Sequence, residues 1–213
     1  MSDLWSGRAK AYAESDTHRE GRDLDLLVSW AEGKTALDVA TGGGHVARRL
    51  REEGFEVTTL DPAPGMRADV LAPAEDIPFA DGSFDTVATR IAPHHFSDIR
   101  GAVGEMARVA RRVVLIEDTL YDSEEVEEAE RLHDPTHVRS YSEQEWRSFL
   151  EEAGLGVEEV ELQEKRRDFG VWCDRTGCTD LERERARELL RNRIDEQGGY
   201  TDTKILIRAR KAA

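Results

Sequence analysis

The first residues able to do chemistry are two carboxylates flanking a run of glycines. Asp38 lies near the end of an apolar stretch and is followed by Val39-Ala40-Thr41-Gly42-Gly43-Gly44-His45. Asp61 comes about twenty residues beyond that loop, where an acid can hydrogen-bond ribose hydroxyls. Glycines let the backbone approach a ligand closely, and a helix starting at His45 would add N–H donors and a partial positive charge. The pattern Gly42-x-Gly44-x-x-Ala47 also satisfies a dinucleotide fingerprint, so NAD is a rival ligand on this signal alone. A carboxylate at Asp38 would repel a pyrophosphate and suits a cationic amino group. Its alternative role is to cap the turn that follows.

Other polar residues could line a second, substrate-bearing side. His94-His95 follows an apolar run ending at Thr89; the pair could act as base or donor near neutral pH, or could fix a turn. His133-Asp134-Pro135-Thr136-His137-Val138-Arg139 could clamp a polar or anionic ligand, or could form a helix cap with surface ion pairs. Tyr12, Ser15 and His18 share one face of an N-terminal helix, either as part of a lid or as simple packing. Phe169 and Trp172, read as part of a loop before the last helix, could give an aromatic wall, although core packing is the commoner fate of such residues. Cys173 and Cys178 are too few for a disulfide framework or a zinc site and read as incidental loop thiols; no metal is expected.

These residues need elements to hold them. Strands are predicted at Thr35 to Ala40, Glu56 to Leu60, Phe84 to Thr89, Arg112 to Glu117, Val157 to Leu162 and Thr203 to Arg208. Helices are predicted at Asp23 to Ala31, His45 to Glu53, Asp98 to Ala110, Glu124 to Leu132, Glu143 to Ala153 and Leu181 to Asp195. Ser142 with Glu145 forms a capping box, and Gly154 ends the helix between them. The alternation defines an α/β fold with a mainly parallel sheet, in which ligands sit beyond the carboxyl ends of the strands.

The 213 residues suffice for one domain with a full core, and no repeat or linker divides them. A net charge of −15 disfavours nucleic acid and anionic membrane as partners, leaving a small molecule. No apolar run is long enough to span a bilayer, and the N-terminus lacks a signal-peptide core, so a cytoplasmic location is expected. The oligomeric state is not legible.

Taken together, LDVATGGGHVA, TLDPAPGM and AEDIPFADGSFDTV resemble the class I S-adenosylmethionine-dependent methyltransferases of the type 11 group. RIAPHHFSD, Ala107-Arg108-Val109 and HDPTHVRSYSEQEW bring the chain close to relatives of the quinone-biosynthesis enzymes. The resemblance implies a Rossmann-like fold with a seven-stranded, mainly parallel sheet and an antiparallel last strand. It divides one domain into an N-terminal lid (1–33), a cofactor-binding core (34–163) and a C-terminal helix and strand (164–213). It further implies S-adenosylmethionine as cofactor and a small-molecule acceptor methylated by in-line displacement. A non-catalytic cofactor binder and an NAD-dependent oxidoreductase are the alternatives.

By the same resemblance Asp38, Ala40, Thr41, Gly42 and Gly44 would face the methionine end, and Asp61 the ribose. Pro62 and Met66 would flank the adenine, Ala74 and Glu75 its edge, and Arg90 and Ile91 the transferred methyl. Tyr12, His18, His95, His137, Arg139 and Trp172 are the candidate acceptor contacts, with His94 and His95 the candidate catalytic residues. The chain departs from the family pattern in three places. Ala40 replaces the first glycine, and Pro73 stands where an adenine-bonding Asp is common. Only residues 62–73, with three prolines, connect Asp61 to Ala74, so the helix and third strand after Asp61 should be reduced or missing.

Overall fold

The computed structural model describes residues 20–211 of the chain. Its strands are β1 (Thr35–Val39), β2 (Glu56–Asp61), β3 (Val70–Leu71), β4 (Phe84–Arg90), β5 (Ala110–Thr119), β6 (Leu155–Asp168) and β7 (Gly199–Lys211). Its α-helices are α1 (Arg22–Ser29), α2 (His45–Glu52), α3 (Ile99–Val109), α4 (Glu124–His133), α5 (Glu143–Glu152), α6 (Phe169–Thr176) and α7 (Asp180–Leu189). The seven strands form one sheet in the order β3-β2-β1-β4-β5-β7-β6. The pairs from β3 through β5 are parallel, and β7 runs antiparallel to both β5 and β6.

Strand alternation sends successive side chains to opposite faces and so divides the core. Leu37, Val39, Val87, Val114 and Ile116 pack with α3 and α5 on one face. Ala36, Ala88, Val113 and Leu115 meet Leu24 and Leu27 of α1 and Leu50 of α2 on the other. Asp38 shares the parity of Ala36, Arg90 that of Ala88, and Glu117 that of Leu115, so all three belong to the α1–α2 face. Asp118 belongs to the α3–α5 face. The helix ends follow the sequence cues: Ser142 and Glu145 form the capping box, and Gly154 has φ 76° directly after α5.

The short connection after Asp61 contains one 3-10 turn at Pro64–Met66 and the two-residue β3 at the sheet edge. The expected reduction of helix and strand is therefore what the fold contains. No full helix is present between Pro62 and Pro73.

The C-terminal third differs from the sequence reading. The segment holding Phe169 and Trp172 is not a loop but the helix α6, capped by Asp168, whose carboxylate accepts from the Val171 N–H at 2.8 Å, and ended by Gly177 at φ 78°. Cys173 accordingly lies buried in a helix, its thiol pushed up to about 12 by burial and then by Cys178. The final helix α7 is shorter than Leu181 to Asp195 because its own capping box, Thr179 with Glu182, sets its start and it ends at Leu189. β6 and β7 run far beyond the predicted Val157 to Leu162 and Thr203 to Arg208, pairing from Leu155↔Lys211 to Asp168↔Gly199. Their outer rungs carry Lys, Arg, Asp and Thr, which mask the strand signal. α4, α6, α7 and Tyr200 of β7 enclose a separate apolar cluster around Trp172 and Phe169. No helix among the described residues is long and apolar enough to cross a membrane.

Candidate functional site

A cavity of about 300 Å³ opens at the carboxyl ends of β1, β2 and β4. The turn after β1 forms its floor, and the turns after β2 and β4 form its walls. Asp38, 2% exposed, accepts from Thr41 Oγ1 at 2.5 Å and from the Ala47 N–H of α2 at 3.1 Å through Oδ2. It thus caps the turn and lines the cavity at once. Burial lifts its carboxyl to about 6, against the two hydrogen bonds that favour the charged form.

Asp61 ties β2 to the glycine loop. Its Oδ2 accepts from the Gly42 N–H at 3.0 Å and its Oδ1 from the Ala63 N–H at 2.9 Å. Burial raises this carboxyl also, with those N–H groups opposing the shift. Gly42 takes φ 50°, and Gly44, at φ 74°, is the N-cap of α2. Ala40 occupies the same left-handed region at φ 55°, which accounts for a glycine in the family pattern. The turn after β4 is strained as well. Ile91, a β-branched residue, holds φ 51°, with its N–H donating to Glu117 O at 2.8 Å.

Arg90 is fixed from two sides. Its Nε donates to Glu117 Oε2 at 2.6 Å and its NH2 to Asp23 Oδ2 at 2.6 Å, with Lys165 Nζ on the same Asp23 oxygen at 2.9 Å. Burial pushes Glu117 up to about 7 although Arg90 draws it down. Asp23 instead stays below the usual carboxylate range, because Arg90 and Lys165 outweigh its burial. The guanidinium is therefore neutralised within the protein.

The cofactor residues expected from the sequence come together. Ala40, Thr41 and Gly42, Pro62 and Met66, Ala74 and Glu75, and Arg90 and Ile91 all line the cavity with the two aspartates. Gly44 stands behind the lining, at the helix cap. Glu75 also accepts from Ser97 N and Oγ at 2.9 Å, joining the wall to the start of α3. Val46, Ala92 and Phe96 extend the lining beyond the sequence reading; their neighbours in the loop and turn were the available signal.

The acceptor candidates divide. His95 lines the cavity, whereas His94 lies behind it with Nδ1 2.5 Å from Asp118 Oδ1. His137 is buried against Glu127, at 3.1 Å from its Oε2. Arg139 forms an ion pair with Glu145 at 2.7 Å and borders a separate surface depression. The loop 134–140 does not reach into the cavity but supports the histidines: Val138 and Arg139 N–H groups donate to His94 O. Trp172 is not a wall of the cavity. It is 3% exposed and stacks on His133 at 4.0 Å in the α6 cluster, because the helix turns its ring inward. Tyr12 and His18, with most of the expected lid, lie outside the described residues.

A doubly wound sheet ending in an antiparallel β7, with one nucleoside-sized cavity over a Gly-rich turn and two buried carboxylates, defines an enzyme of the methyltransferase class. Residues 37–115 match the family model described as a methyltransferase domain. The uncharacterised methyltransferase YcgJ of Bacillus subtilis is 32% identical over 208 residues, spanning 85% of this chain and 81% of its own. The demethylmenaquinone methyltransferase of Thermus thermophilus is 34% identical over 122 residues, covering 48% of this chain and 55% of that protein. The crystal structure of a putative methyltransferase from Bacillus halodurans superposes with a TM-score of 0.79 at 28% identity, over 91% of this chain and all of that one. The chain belongs to the class I S-adenosylmethionine-dependent methyltransferases of the type 11 group, and S-adenosylmethionine is its methyl donor. The NAD alternative falls with that assignment.

Proposed function

We propose that this enzyme methylates a small-molecule acceptor by in-line transfer. The observation that carries the reading is that Asp38 and Asp61 line one cavity together with His95 and Phe96. The donor set fits the cofactor: a buried carboxylate of raised pKa favours a cationic partner, and a second one beside backbone N–H groups favours hydroxyls. S-adenosylmethionine, when bound, supplies an electrophilic methyl on a sulfonium.

The chain's own residues then have positional work. Asp38 holds the methionine amino group, and Asp61 holds the ribose. Pro62 and Met66 flank the adenine, and Ala74 with Glu75 meets its edge. Ile91, locked in its strained turn, sets the wall beside the methyl. Ile91, Ala92 and Phe96 keep water from that end. The strongly negative net charge supports a small acceptor over a nucleic acid.

Calorimetry with S-adenosylmethionine, its demethylated product and NAD tests the cofactor site. Binding of NAD but of neither sulfur compound refutes it. A methyl-transfer screen over small acceptors and nucleic acids tests the substrate class, and transfer to nucleic acid alone overturns that part.

A further inference from the structure

α6 ends in a Schellman closure whose two meeting positions are both cysteines. Gly177, at φ 78°, sits just past the helix and donates its N–H to Asp174 O at 3.2 Å. The Cys178 N–H reaches further back, to Cys173 O, also at 3.2 Å. This pair of bonds is the Schellman pattern, which brings the side chain after the glycine onto the residue five positions earlier. An apolar contact commonly fills that place. Here it holds two thiols.

The thiols meet in unequal surroundings. Cys173 is wholly buried in the α6 cluster, whereas Cys178 is half-buried and can be reached from solvent. Burial, then the neighbouring Cys178 sulfur, pushes the Cys173 thiol up to about 12, and a hydrogen bond between the two thiols adds to the shift. The Cys178 sulfur also lies 3.8 Å from Thr176 Oγ1, 3.9 Å from Leu132 O and 4.0 Å from His133 O. It therefore sits where the end of α6 meets the end of α4.

A disulfide needs its two Cα atoms within about 7 Å, and a direct backbone bond between the same two residues keeps them there. Residues 174–177 are already fixed by α6 and its closure, so joining the sulfurs orders no further chain.

We propose that Cys173 and Cys178 are a peroxide-sensitive modification site that closes to an intrachain disulfide at the junction of α4 and α6. The Cys178 sulfur attacks one oxygen of a hydroperoxide. The O–O bond breaks and an alcohol leaves, or water when the oxidant is hydrogen peroxide. The resulting sulfenic acid lies against the Cys173 thiol and condenses with it. The two sulfurs bond, the S–O bond breaks, and the thiol proton departs with the oxygen as water. Two thiols thus lose two electrons and two protons, and one peroxide is reduced. Because the proton leaves with the oxygen, Cys173 need not ionise beforehand. A dithiol reductant reverses the bond by exchange.

Trypsin cuts after Arg167, Arg175 and Arg183, which puts the two cysteines on separate peptides, 168–175 and 176–183. The folded full chain, treated with hydrogen peroxide and alkylated before digestion, should yield these two peptides joined. Dithiothreitol should release them unmodified. In Cys173→Ala the sulfenic acid should persist on Cys178 and be captured by dimedone, while Cys178→Ser should leave Cys173 reduced. The wild-type peptide map decides the matter even where a variant fails to fold. Cys178 carried on to sulfinic acid with no joined peptides overturns the proposal. So does a bond that links two chains only, or oxidation of Cys173 in Cys178→Ser at the wild-type rate. Hydrogen exchange at the Gly177 and Cys178 amides should slow in the oxidised chain, because the new bond braces the closure. Faster exchange there would show that the closure cannot hold the bond, and would overturn the site as drawn. None of these readouts depends on methyl transfer.

Discussion

Arg90 Nε donates to Glu117 Oε2 at 2.6 Å across the adjacent strands β4 and β5, with both side chains almost wholly out of solvent. Arg90 lines the cavity, with Glu117 behind it, yet its charge is matched inside the protein. Arg90→Met strands the Glu117 and Asp23 carboxylates without their guanidinium, and should destabilise by about 3–5 kcal/mol in urea unfolding. Adding Glu117→Gln should recover part of that loss. A single variant as stable as wild type would show that the pair contributes nothing.

Asp38 gives a pH signature with a definite sign. Its folded pKa, about 6, lies above the unfolded value of 3.8, so the folded state binds more protons between those values. Its contribution to stability is complete below about pH 4 and is lost as pH rises through 6. Other carboxylates, including Asp23 and Glu127, act in the opposite sense, so the informative quantity is the difference from Asp38→Asn. Wild type should lose stability relative to Asp38→Asn from pH 4 to 7 in cofactor-free protein. A pH-independent difference would contradict the raised value. At pH 7.5 the variant should bind S-adenosylmethionine at least tenfold more weakly, read by calorimetry.

Ala40 stands at φ 55°, a conformation that costs a side chain about 1–2 kcal/mol. Ala40→Gly removes that strain and adds about 0.4–1 kcal/mol of unfolded-chain entropy. The net effect should be a gain of about 0.5–1 kcal/mol, seen as a rise in Tm of a few degrees at most. A fall in Tm would mean that the packing of the Ala40 methyl against the core outweighs the strain.

Trp172 fills the α6 cluster and is absent from the cavity wall. Trp172→Ala should cost about 3–5 kcal/mol in denaturant unfolding. Affinity for S-adenosylmethionine should stay within about twofold. A large drop in affinity with little loss of stability would return Trp172 to the ligand site.

The cofactor half of the site is legible because its chemistry is local. Asp38, the glycines and α2 lie in one short segment, and the capping and turn rules that shape it act over a few residues. The missing helix after Asp61 is legible for the same reason, since too few residues and too many prolines stand there. What escapes is non-local or charge-laden. Asp23 and Arg90 meet across 67 residues, and Thr136 reaches His95 across 41. No periodicity reports such pairs. The β6–β7 ladder hides because Lys165, Arg166 and Arg167 suit a solvated loop as well as an exposed strand. α6 is short and rich in residues of modest helix propensity, so its Asp168 cap and Gly177 stop are its main signs.

That ladder closes at Asp168 opposite Gly199, where the Phe169 N–H bonds Gly198 O at 3.0 Å. The excursion between those residues therefore leaves and re-enters the sheet at a single rung. Changing its length alters closure entropy only slowly, by about 0.6 kcal/mol per doubling. Neither Asp38 nor Asp61 depends on a residue within it for its hydrogen bonds. The segment from α6 to α7 can thus vary in length at little closure cost, provided that the face of α4 and the Tyr200 ring that pack on Phe169 and Trp172 stay covered.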